Sequence, residues 1–312
     1  MNWKLGLNFF NPTATIFNPI DLGEEEVKRK IEQGQYHIYM ICKRKKLFFE
    51  SCSKNSSGES EIRFYKINEN HDKKHIGYKN KEIFIHSLSD GYYDVEFKGH
   101  RLRVREFLMI NNFGFMEKDF IGDSNQMEIA SDLEVMYIGQ AFGRNENKTI
   151  DYRLRNHEKI QKVALDSLNN GLNEEILVIG LTVGESDLST ALVAKDDYNN
   201  PPTLESFIKM HESAIKRPSE GQRVTLFEAA LIKYFQPDLN IEYKETFPGP
   251  DFTSYNEIYE MEFDYVAIGL DTRTVFARVF SKFKSQRKYL HHDYFPLHST
   301  GKHDSLIEFL EN

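Results

Sequence analysis

Short apolar and aromatic runs, broken by polar residues, fill the first third of the chain: "YHIYMIC", "KLFFESC", "IRFYKI", "EIFIHSL", "YYDVEF" and "RLRVREFL". Their length, β-branched and aromatic content, and flanking Gly, Asn and Ser predict β-strands joined by turns. One helix is predicted among them, at "GEEEVKRKIEQG", and loops at "SKNSSGES" (53–60) and at the Lys/His-rich "NENHDKKHIGYKNK" (68–81). From about residue 111 the period changes. "LEVMYIGQ" predicts a strand, "TIDYRLRNHEKIQKVALDSL" a helix, "EEILVIGLTVG" a strand, and "TLESFIKMHESAIK" and "TLFEAALIKYF" two helices. After residue 246, "MEFDYVAIGLD" and "VFARVFSKF" predict strands and "DSLIEFLEN" a closing helix. The pattern predicts an α+β protein in three parts: a β-rich segment 1–110 for target or partner recognition, a mixed segment 111–245, and a β/α extension 246–312. No internal repeat is present.

Two predicted helices carry charges where apolar residues belong. At 100° per residue, Leu231, Ile232 and Phe235 all fall within about 60° of Glu228, while Lys233 points away. A carboxylate in that position has to be neutralised, paired or bound to a cation, because an isolated buried charge loses several kcal/mol of hydration. On the helix beginning near Thr149, His157 follows Arg153 by one turn, within the stripe formed by Ile150, Leu154, Ile160, Ala164 and Leu168. A guanidinium that grips an anion beside an imidazole that moves a proton is one reading of the pair. A core histidine with a snorkelling arginine is the other.

The 312 residues suffice for two or three modest domains, and 40% hydrophobic content with 24 Phe, 16 Tyr and 9 Pro predicts order almost throughout. The net charge of −8 disfavours a chain that coats nucleic acid over its whole surface, but leaves room for local patches. Two patches stand out. Residues 143–163 hold six Lys/Arg against three acids, and 278–303 hold six against one, with aromatics interleaved. Arg144, Lys148, Lys284, Arg287 and Lys288 are the candidate phosphate contacts, the alternative being a solvated strand pair with a basic face. Cys42 and Cys52 are too few for a disulfide framework or a zinc site and predict reduced thiols in a cytoplasmic protein. The longest apolar run, at 176–183, is far short of a membrane span.

Three pieces in order carry a resemblance: "YIG" (137–139), "RLRNH" (153–157), and "EAALIKYFQPDLN" (228–240). Together they resemble the GIY-YIG nuclease family, over roughly residues 120–243, with a Glu-to-Asn spacing similar to that of the nuclease subunit of bacterial excision repair. The resemblance implies a small central mixed sheet flanked by helices. It also implies one Mg2+ (or Mn2+) held mainly by Glu228, a phosphate clamp at Arg153, and a water-orienting phenol at Tyr137. His157 would share the proton work, and Asn240 would fix the local loop or touch the phosphate. The family's first tyrosine, expected shortly before Tyr137 near "SNQMEIASD", is not there. The expected function is a metal-dependent endonuclease acting on DNA rather than RNA, in restriction or anti-phage defence, with a homo-oligomer or a protein partner engaged through the N-terminal segment. The alternative is a catalytically silent module of the same shape that binds nucleic acid or a protein.

Overall fold

Ile38, Met40 and Cys42 alternate along the chain with Tyr39 and Ile41, and all five are buried. A strand apolar on both faces belongs in the middle of a covered sheet. The structure, a computed structural model, describes residues 3–10, 12–19, 29, 33–46, 48–54, 58–67, 70–81, 83–87, 93–97, 100–103, 120–121, 132–141, 158–169, 173–183, 188–194, 203–205, 208, 211–212, 218–245, 247, 263–275 and 277–297. In it β3 (Ile38–Lys45) is the central strand of a five-stranded mixed sheet. On one side it pairs antiparallel with β11 (Asp132–Gln140), which is followed by β15 (Arg278–Phe280) in parallel. On the other it pairs antiparallel with β12 (Glu174–Leu181), followed by β2 (Ala14–Phe17).

A second mixed sheet joins β1 (Trp3–Phe10) to β13 (Leu188–Ala194) on one side and to β14 (Tyr265–Asp271) on the other, with β16 (Leu290–Pro296) at its edge. Between the two sheets runs α2 (Glu220–Phe235), in contact with β11 of the first and β14 of the second. Leu5, Leu7 and Phe9 of β1, Val266 and Ile268 of β14, Ile138 of β11 and Leu226, Phe227 and Leu231 of α2 form one continuous core. Phe9 and Phe227 meet at 5.4 Å. The other face of the first sheet is covered by α1 (Glu158–Asn169), whose Val163 joins Tyr39, Ile41 and Val178. The arrangement is α+β and rich in sheet, as the pattern predicts.

Between β3 and β11 the chain makes an excursion. β4 (Phe48–Lys54), β5 (Ser60–Ile67), β6 (Lys73–Asn80) and β10 (Phe120–Ile121) form an antiparallel sheet, and β7 (Ile83–Ser87), β8 (Tyr93–Phe97) and β9 (His100–Arg103) form another. The pairing does not follow the predicted division at 110 and 245. β1, β2 and β3 are woven into the same two sheets as strands from 132–194 and 265–296, and only the strands from β4 to β10 stand apart.

Several elements differ from the predicted ones. The predicted loop at 68–81 is mostly β6, hydrogen-bonded on both sides to β5 and β10. The strand predicted at 275–283 contracts to three residues because a 3-10 turn at Arg273–Val275 precedes it, with the Val275 and Ala277 amides both bonded to the Thr272 carbonyl. Strands β1, β2, β13 and β16 went unread. Most of "GEEEVKRKIEQG", residues 149–157 of the first long helix, and "DSLIEFLEN" lie outside the described residues.

Candidate active site

The helix α2 is held at both ends. Ser219 caps it, its hydroxyl accepting from the Gln222 amide while the Gln222 side chain accepts from the Ser219 amide at 2.7 Å. At the far end Gln236 turns left-handed (φ 46°), its amide reaching back to the Ile232 carbonyl, and Pro237 prevents continuation. The chain then runs alongside β11: the Leu239 amide donates to the Met136 carbonyl at 3.1 Å. Asn240 completes the junction. Its Oδ1 accepts from the Ile138 amide at 2.9 Å and its Nδ2 donates to the Ile138 carbonyl at 2.8 Å. Both ends of this buried amide are engaged with the "YIG" strand, so Asn240 positions that strand.

Glu228 is 7% exposed, two turns into a helix that is buried on nearly every side. The apolar stripe read from sequence is therefore one side of a helix enclosed over most of its surface. Its Oε2 accepts from Nε2 of Gln140, the residue after "YIG", at 2.8 Å. Gln140 ends β11 opposite Ile38, so the carboxylate lies at the margin of the sheet where β3 begins. His37, just before β3, donates Nε2–H toward Glu220 of α2 at 3.2 Å while its Nδ1 accepts from the Val183 amide. Burial holds its pKa below the usual histidine value, Glu220 opposing the shift.

Tyr137 lies on the other face of β11, half-buried with the α1-side cluster, its ring 6.1 Å from that of buried Tyr39. Gly139 is inside the strand rather than at a turn. A Cβ there would lie 2.8 Å from both the Tyr137 ring and the Tyr39 hydroxyl, so glycine makes room for the two phenols. The strand beside the "YIG" strand is thus β3, far upstream of the stretch where the resemblance expects a tyrosine. Just ahead of it stands Gly34-Gln35-Tyr36, where a helical turn ends and Gln35 turns left-handed (φ 45°). Gly34 also gives up its side-chain space to a tyrosine, since a Cβ would collide with the Tyr36 ring. The Tyr36 hydroxyl donates to Thr15 Oγ1 at 2.7 Å, and burial raises its pKa.

The structure therefore brings together Glu228, Gln140, Asn240 and the "YIG" strand, with Tyr137 facing away from the described Glu228 contact. Arg153, His157, Arg144 and Lys148 lie outside the described residues. The C-terminal cations are engaged within the chain. Lys284 sits 3.5 Å from Asp293 and over the Tyr234 ring, and Arg287 lies 2.9 Å from Asp132 and over the Phe280 ring; Lys288 bridges to Val279 through its backbone. The Arg287 side chain is still 50% exposed. Gln140, Tyr36 and Tyr39 were not among the sequence candidates. The signal for the tyrosines was present in the period-two strand "QYHIYMIC", but the sequence distance concealed its neighbour.

Among the described residues no group of three or more His, Cys, Asp and Glu stands together. A lone buried carboxylate still suits magnesium, which keeps most of its waters and takes few protein oxygens. No helix among the described residues is long and apolar enough to cross a membrane. Comparison of the chain with protein-family models, with characterised proteins and with solved structures finds no match.

Proposed function

We propose that this chain is a metal-dependent nuclease that hydrolyses phosphodiester bonds, DNA being the favoured substrate. The observation that carries the reading is the junction at β11. Two of the three sequence pieces read as a GIY-YIG pattern lie far apart in the chain and yet meet: Asn240 grips Ile138 of "YIG" on both backbone atoms, and Glu228 meets the residue that follows it. In this reading Gly34-Gln35-Tyr36, in the turn that leads into β3, stands for the family's "GIY", with the excursion from β4 to β10 inserted between β3 and the "YIG" strand. Glu228 would hold the Mg2+ or Mn2+, which supplies Lewis-acid stabilisation of charge developing on a phosphate. Gln140 fixes the carboxylate's orientation and Asn240 fixes the strand, while Tyr137 keeps the water-orienting role that the resemblance gives it. Arg153 and His157 keep the roles that the resemblance gives them.

One observation favours a second reading. Tyr137 and the Glu228–Gln140 contact lie on opposite faces of β11, as suits a silent module that keeps the shape and binds nucleic acid or a protein. Incubating the purified protein with supercoiled plasmid and with RNA, in Mg2+, in Mn2+ and in chelator, separates them. Metal-dependent nicking supports the nuclease, and binding without nicking in either metal supports the silent module.

A further inference from the structure

We infer that the outward face of the inserted sheet is a stacking platform for single-stranded nucleic acid. The inference deepens the proposed function, resting on its reading that the chain acts on nucleic acid. Side chains alternate across a strand, and β5 shows it: Ile62 and Phe64 are buried beneath, while Arg63 and Tyr65 point the other way. Across three strands the register aligns Phe48, Tyr65 and His75 directly side by side. Phe48 and Tyr65 are stacked at 5.2 Å with 16° between their planes, and His75 lies 6.3 Å from Tyr65. Lys73 Nζ stands 4.4 Å above the Tyr65 ring and Lys46 Nζ 5.4 Å from Phe48. His75 and Arg63 are more than half exposed, each meeting one carboxylate, Glu50 and Glu61.

Lys46, Lys73, Lys79, Arg63 and His75 lie on or beside this surface, with Glu50 and Glu61 on it and Glu59 and Asp72 at its margins, in a chain whose overall charge is −8. A row of flat rings with ammonium groups over them suits unpaired bases, each of which offers a π-face, while the phosphates between them meet the lysines. A duplex hides its base faces and has no use for the rings. The row crosses three adjacent strands, about 10 Å of surface at the usual strand spacing, which is room for two or three stacked bases.

The test is fluorescence anisotropy on the full-length chain in chelator, where cutting does not interfere, with a labelled oligothymidylate and with a duplex of equal length. The single strand should bind more tightly than the duplex. Tyr65→Ala should weaken single-strand binding about tenfold and Tyr65→Phe by less than about twofold, since the ring alone is needed. The exposed Lys73→Glu, chosen because it disturbs no core, should weaken binding and flatten its salt dependence. If Lys73→Glu and a folded Tyr65→Ala both bind like the parent, or if the parent prefers the duplex, the platform is refuted. Plasmid nicking with no single-strand binding would remove the platform and leave the nuclease reading. Single-strand binding without nicking would do the reverse.

Discussion

Asn240 shows how much a single buried side chain can hold. It is 8% exposed, and its two hydrogen bonds go to the amide and carbonyl of one residue on β11. Asn240→Ala leaves both Ile138 groups buried and unsatisfied, at about 1–3 kcal/mol for each orphaned group. We expect a lowered Tm and, because the strand carries Tyr137 and Gln140, a fall in cleavage at temperatures where the variant is still folded. His291 is a second case. It is 3% exposed, its Nε2 donates to the Lys288 carbonyl, and its Nδ1 faces the Tyr234 hydroxyl at 3.3 Å. Burial lowers its pKa to about 4, the Lys288 carbonyl opposing the shift. The unfolded chain protonates this imidazole near 6.5 and the folded chain does not until about 4, so stability is full above 6.5 and lost as pH falls through that window. The loss is about 3 kcal/mol. Urea unfolding at stepped pH should show it, with a shallower slope for His291→Phe. Glu228 was legible as a residue because a carboxylate among apolar neighbours is conspicuous. Gln140 was not, because a glutamine at a strand end carries no periodic signal.

At the scale of elements, periodicity served best where one face is polar and one apolar. β5 and β11 were legible on that basis, and β3, β12 and α2 as apolar runs long enough to mark covered elements. β6 was not, because Lys73, Lys74, His75 and Lys79 make its sequence look like a loop, and only its pairing to β5 and β10 makes it a strand. β1 hides its alternation of Leu5, Leu7 and Phe9 behind Gly6 and the buried Asn8. The helix α2 depends on its cap. Ser219→Ala removes one half of the reciprocal Ser219–Gln222 arrangement and should cost about 1 kcal/mol, read as a small Tm decrease with cleavage at low temperature preserved. Gly139→Val should be far worse than Ser219→Ala, because the added methyls have to displace two tyrosine rings.

The whole molecule differs from its linear reading in one respect that sequence order conceals. Both mixed sheets recruit strands from both ends of the chain, so β1, β2 and β3 of the predicted segment 1–110 are built into the same sheets as strands from 132–194 and 265–296. The excursion from β4 to β10 begins and ends at antiparallel neighbours, the geometry of a hairpin with a very long loop. Replacing 47–131 by a short glycine-serine turn should therefore leave a folded protein, whereas deleting 1–17 removes β1 and β2 and should unfold it; circular dichroism and proteolysis distinguish the two. The 47–131 replacement should keep metal-dependent cleavage of duplex and lose single-strand preference. The central claim is that the β11 junction is a metal-dependent cleavage site, and its most direct test is plasmid nicking by the parent and by Glu228→Gln, which keeps the side chain's shape and removes its charge. The expected result is nicking in Mg2+ or Mn2+ by the parent, none in chelator, and a loss of about a hundredfold or more in the variant at an unchanged or raised Tm. Equal nicking by parent and variant would contradict it.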